Sequence, residues 1–185
     1  DNSLIYEMTS KIAEDCKRMG IYWDFAPVVD VNTNPANPII GNRSFGSDIN
    51  NVIAKGLAYA QGLQDNGVLA SMKHFPGHGD TDTDSHLDLP VVSHNLERLN
   101  SVELAPFKAL LDKKIGGVMV AHLYVPALEK QSGIPASVSY DIITNLLKKS
   151  YQYNGLIITD ALNMNAVAKK FPAGELDLRA FKAGN

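Results

Sequence analysis

The feature that most constrains the fold is a regular alternation of two hydrophobic periods. In residues 3–19 the apolar side chains Leu4, Ile5, Met8, Ile12, Cys16 and Met19 recur at helical spacing, with Ser3 as the N-cap and Gly20 as the stop. Residues 21–31 read as a buried strand rich in aromatic and β-branched side chains, with Pro27 confined to its end or to a bulge. A helix capped by Asp48 and ended near Gly67 comes next, then a short apolar strand over 68–72. The pattern continues with a helix to about Lys114, which Ser101 can restart and which tolerates Pro106 only in a first turn. Strand 117–121, helix 139–150 and strand 156–159 follow, and a last helical stretch from Asn163 is broken by Pro172 and Gly174. Repeated helix–strand order demands crossover connections and therefore a parallel sheet. Short apolar strands, rather than alternating ones, fit a sheet covered on both faces.

The second constraint is what ends each apolar run. The first ends at Asp30, the second at Lys73-His74, the third at His122 and the fourth at Asp160. In parallel α/β architectures the C-terminal edge of the strands is where ligands bind. Polar residues also simply mark where strands stop, yet four in four strands point to a shared site. Two long polar connections, 32–47 and 74–95, leave that edge, and loops of this length in compact domains carry function or are disordered.

Composition narrows the chemistry. Against 20 acidic residues stand 17 basic ones, with no basic stripe to hold nucleic acid or an anionic membrane surface. No apolar run approaches the ~20 residues that span a bilayer, so no membrane insertion is expected. The lone Cys16 excludes an internal disulfide and a multi-cysteine zinc site, and leaves the compartment open. Asp1-Asn2-Ser3 opens directly into an amphipathic pattern rather than a signal peptide.

The densest stretch, 73–86, holds three histidines, three aspartates and a lysine. As a calcium loop starting at Asp80 it fails, because Ser85 stands where glycine is needed and Val91 where the bidentate glutamate is needed. As a dinucleotide fingerprint, Gly77-His78-Gly79 lacks the third glycine and the following helix. A transition-metal site built from His74, His78, His86 and His122 stays open, without the tight spacing that would support it. In the acid/base reading, Asp84 and His86 stand two apart in an extended segment and project to the same side. The carboxylate then fixes the imidazole tautomer and leaves its other nitrogen to carry a proton. Asp160 at a strand mouth serves as nucleophile, base, metal ligand or helix N-cap. Arg43 is either an anchor for a substrate oxygen or a surface arginine. Tyr22, Trp23 and Phe25, lying within a strand, are expected in the core rather than as a sugar platform.

These residues resemble a known family. Lys73-His74-Phe75-Pro76-Gly77-His78-Gly79-Asp80-Thr81, followed by Asp84-Ser85-His86, is similar to the signature of glycoside hydrolase family 3 β-N-acetylglucosaminidases of bacterial type. Ile158-Thr159-Asp160-Ala161-Leu162-Asn163-Met164 resembles that family's nucleophile segment, and Phe25–Val31 and Gly41-Asn42-Arg43-Ser44-Phe45 resemble two further stretches in the expected order. The resemblance implies a retaining glycosidase acting on terminal β-linked N-acetylglucosamine in muropeptides or chitooligosaccharides. Asp160 would be the nucleophile, His86 the general acid/base and Asp84 its partner, a departure from the usual pair of carboxylates. Arg43, Lys73 and His74, together with Asp30, would hold the sugar, and no metal or other cofactor is implied. The implied fold is a partial (β/α)8 TIM-like barrel of about four strand–helix units, roughly strands 3 to 6. Complete barrels typically need ~250 residues, so residues 1–185 are expected to form one incomplete catalytic domain, completed by flanking sequence.

Overall fold

The computed structural model describes residues 1–81, 89–172 and 174–185. Among these, four strands form one parallel sheet in the order β1 (Trp23–Asp24), β2 (Leu69–Phe75), β3 (Gly117–Val120) and β4 (Leu156–Thr159). Sequential order with every neighbour parallel is the topology of consecutive strand–helix units, and the sheet is a partial (β/α)8 barrel. No helix among the described residues is long and apolar enough to cross a membrane.

The helices begin and end where local chemistry directs. Helix α1 (Asn2–Arg18) is capped two residues earlier than Ser3, because the Asp1 carboxylate accepts the Ser3 N–H at 3.0 Å. Asp48 caps α2 (Ile49–Gln64) by accepting the Asn51 N–H at 2.7 Å. The helix anticipated before β3 is two pieces, α3 (Leu96–Ser101) capped by Asn95 and α4 (Ala105–Leu111) with Pro106 in its first turn. Residues Asp141–Ser150 wind with the wider π spacing, and α5 (Asn165–Ala168) and α6 (Glu175–Ala183) complete the order.

Strand parity divides the side chains. Ala70, Met72, Val118, Val120 and Ile157 belong to the core packed beneath the helices, where Phe75 meets Phe107 edge-to-face at 5.2 Å. On the opposite face Trp23 donates to the Ser71 hydroxyl at 2.7 Å.

Two expectations need correction. The strand foreseen over 21–31 is regular only at Trp23–Asp24. Beyond it the chain still follows β2, the Ser71 and Lys73 N–H groups donating to the Ala26 and Pro27 carbonyls, but Pro27 has no N–H to return and the ladder lapses. Tyr22 and Phe25 are exposed rather than core, because β1 is an edge strand with no described neighbour on its outer side.

Candidate active site

The strand-end residues gather at one edge, as their positions in the sequence foretold, but at different depths. Phe25, Ile39, Arg43, Lys73, His74, His78, Met119 and Asp160 line a cavity of about 250 Å³. Lys73 and His74 both reach it although they are adjacent in β2, because the pairing with β3 slips between Met72 and Phe75.

Asp30 lies behind this wall and is fully buried. Its carboxylate accepts the His78 N–H at 2.7 Å, the His74 N–H at 3.2 Å, and the His74 Nδ1–H at 2.7 Å. Burial by itself would push this carboxyl up; His74 and His78 outweigh it, and the net displacement is downward. With Nδ1–H given to Asp30, His74 presents Nε2 as an acceptor toward Arg43 Nη2, 3.4 Å away. Arg43 is steadied from the other side by the Ile39 carbonyl at 3.2 Å. Asp30 was expected among the sugar contacts; where it stands, it holds His74 and the backbone of the His78 loop.

Lys73 is half-buried. Burial pushes its ammonium below the ordinary lysine range, Arg43 adds to that, and Asp24, Asp160 and Asp30 pull against it. Asp160 opens β4's exit, its N–H on the Val120 carbonyl at 2.9 Å and its Oδ1 accepting the Ala161 N–H at 2.8 Å. It does not cap a helix, since α5 starts only at Asn165 with Met164 at the cap position.

The polar loop 32–47 braces this edge. The Asn37 amide donates to the His78 carbonyl at 2.8 Å while its Oδ1 accepts the Ile39 and Ile40 N–H groups, and Ser44 donates to the Asp30 carbonyl at 2.7 Å. Gly79 passes so close to strand-end backbone that a Cβ there would meet the Val31 carbonyl oxygen at 1.9 Å.

Among the described residues, His74, His78 and His122 form no cluster that could hold one ion. His122 accepts from Ser137 at Nδ1 (2.7 Å) and donates from Nε2 to the Ala161 carbonyl (3.0 Å), so both ring nitrogens are used. Burial holds its pKa below the ordinary histidine value despite the opposing Ala161 carbonyl and Asp160. His78 Nδ1 faces the Thr81 hydroxyl at 2.6 Å, and burial lowers this histidine too, against the pull of Asp30. Asp84 and His86 lie outside the described residues. Sequence reasoning missed Phe25, Ile39 and Met119 as cavity wall, having no ionisable signal to find them by.

The half-barrel gathers cations, a supported imidazole and a carboxylate around one cavity at the C-terminal edge of its strands, the edge at which (β/α)8-barrel enzymes carry their active sites. The chain belongs to glycosyl hydrolase family 3: the description of that family's N-terminal domain matches residues 1–185. It is 38% identical over 188 residues to β-hexosaminidase A of Pseudoalteromonas piscicida, covering 96% of this chain and 31% of that protein. It is 43% identical over 174 residues to the β-hexosaminidase LpqI of Mycobacterium bovis, covering 91% and 44% respectively. The structure of a family 3 β-N-acetylglucosaminidase from Paenibacillus sp. str. FPU-7 superposes with a TM-score of 0.97 at 43% identity, over 100% of this chain and 35% of that one. The chain thus spans less than half the length of these relatives.

Proposed function

We propose that the protein containing this chain is a retaining exo-β-N-acetylhexosaminidase that removes terminal N-acetylglucosamine from muropeptides or chitooligosaccharides. The observation that carries the reading is the convergence of Arg43, Lys73, His74 and Asp160 on one cavity of about 250 Å³. Asp160 attacks the anomeric carbon while His86, oriented by Asp84, protonates the departing oxygen. Water then cleaves the glycosyl-enzyme with His86 as base. Arg43, Lys73 and His74 grip sugar hydroxyls, and Asp30 keeps His74 in the tautomer that accepts at Nε2. Each step is proton transfer or displacement by the chain's own residues. The names of the relatives, β-hexosaminidases and a β-N-acetylglucosaminidase, support the substrate class.

In the full-length protein, Asp160→Ala should cut hydrolysis of the p-nitrophenyl β-N-acetylglucosaminide by roughly 10⁴-fold or more, with the thermal midpoint unchanged. A fluorinated N-acetylglucosaminyl donor should label Asp160 in the parent and be traceable by peptide mass. Undiminished turnover by Asp160→Ala would sink the assignment.

A further inference from the structure

Beyond the cavity, Asp80, His94 and Glu103 come together from three separate stretches. One ligand atom of each lies within 4.8 Å of the other two. None of them lines the cavity.

Their bonding leaves a gap of a particular kind. Asp80 accepts the Thr33 hydroxyl at Oδ1 (2.9 Å), and its Oδ2 takes the His94 Nε2–H. Glu103 has a side chain only 3% exposed, and its Oε1 accepts from Arg98 Nε and Nη2 at 3.3 and 3.2 Å. Its Oε2 is shut from solvent with no hydrogen-bond partner, which leaves it as the oxygen available to the cluster. A buried carboxylate oxygen with nothing to accept from is costly, and a second carboxylate close by adds repulsion. One arginine and one imidazole N–H offset only part of this.

We propose that Asp80, His94 and Glu103 form a binding site for a divalent transition-metal cation of the zinc or manganese type. One imidazole and two carboxylates are a borderline donor set, suited to such ions and less to calcium, which takes oxygen ligands only. Bonds of roughly 2.0–2.2 Å let an ion join donors up to about twice that far apart, so the Asp80–His94 hydrogen bond opens to admit the ion while Glu103 closes on it. For Nε2 to bind the ion, the neutral His94 ring carries its proton on Nδ1 instead, so Nε2 gives up the proton it shares with Asp80 while Nδ1 takes one from solvent. The role is structural: Asp80 precedes and His94 follows residues 82–88 in the chain, and Glu103 lies between α3 and α4. The ion therefore ties both flanks of the segment carrying Asp84 and His86 to the helical layer.

The test uses full-length protein stripped with a chelator and titrated with Zn²⁺, then with Mn²⁺ and Ca²⁺, read by calorimetry, bound-metal analysis and thermal midpoint. One saturable equivalent of Zn²⁺ and a raised midpoint are expected, with Ca²⁺ the weakest of the three. His94→Asn, at a part-exposed position, should weaken that equivalent by more than roughly tenfold, and Glu103→Gln should do the same. Zn²⁺ bound as tightly by His94→Asn would put the ion elsewhere and overturn the site. Absence of saturable binding below millimolar Zn²⁺ would overturn it as well, as would calcium binding as tightly as zinc.

Discussion

The two edges of the sheet hold clefts of similar size but use their polar groups in opposite ways. At the N-terminal edge, clefts of about 340 and 330 Å³ run past Gln64, Leu69, Lys114, Gly116, Tyr153 and Gly155. Gln64 and Tyr153 there are spent on backbone. Gln64 accepts the Gly116 N–H at 2.8 Å and donates to the Lys114 carbonyl at 3.2 Å, and Tyr153 donates to the Ile115 carbonyl at 3.0 Å. At the C-terminal edge the cavity is smaller, about 250 Å³, yet its polar groups bind one another and still turn Arg43, Lys73 and Asp160 toward open space. Convergent charge, not volume, separates an edge suited to a ligand from a closing one.

Asp30→Asn should break that contrast most severely. Asp30 accepts from two backbone N–H groups and one imidazole N–H, and an amide can serve only part of that set while turning its own NH₂ toward donors. Removing one partner of a buried charged network costs about 3–5 kcal/mol, read by chemical unfolding. Activity of the folded protein should fall roughly 10²-fold, since misplacing a substrate-gripping group acts at that scale. Loss of stability with turnover intact would reduce Asp30 to a purely structural residue.

Gly155→Ala is the mirror case at the other edge. A Cβ there would meet the Tyr153 hydroxyl at 2.2 Å and the Gly116 carbonyl oxygen at 2.9 Å, and Tyr153 is buried and bonded, so neither can give way freely. Overpacking of this kind costs about 1–3 kcal/mol. The turnover number of the fraction still folded should match the parent, measured below the variant's thermal midpoint. A change in turnover would show that the N-terminal edge communicates with the cavity.

How far these edges were legible in the sequence follows from the chemistry each feature leaves there. The four strands and their common orientation could be read because a buried parallel strand must be apolar and each run stops at an ionisable residue. Depth could not be read. Asp30 and His122 end strands just as Lys73 and Asp160 do, but whether such a side chain points into the cavity or behind it depends on strand parity and on slips such as the one between Met72 and Phe75. Phe25 looked like core because its neighbours in sequence are apolar, and only the absence of a described strand beyond β1 exposes it. Nothing marked Asn37 within the polar connection 32–47, because its hold on the His78 carbonyl joins positions 41 apart. The Asp80–His94–Glu103 cluster could not be read either: Asp80 stands in the 73–81 signature, but His94 and Glu103 share no spacing with it and join it only through tertiary packing.

The smallest effect sharpens the comparison by pH. At the N-terminal edge burial raises Tyr153 and pushes Tyr151 up to about 12, so both stay neutral through the working range. At the C-terminal edge burial lowers His78 and His122 from the ordinary value near 6.5. A base lowered in the folded state takes its proton first in the unfolded chain. Stability is therefore full above about pH 7 and declines as pH falls through the unfolded value near 6.5, by at most about 1.4 kcal/mol per pH unit for each histidine. The decline ends once the folded value is passed. His122→Gln offers an amide N–H to the Ala161 carbonyl and an oxygen to the Ser137 hydroxyl without a titrating group. Its unfolding free energy should change little at pH 7.5, and its slope between pH 6.5 and 5 should be shallower than the parent's by up to that amount. Equal slopes in the two proteins would mean that His122 is protonated in place, and that its two hydrogen bonds do not hold it neutral.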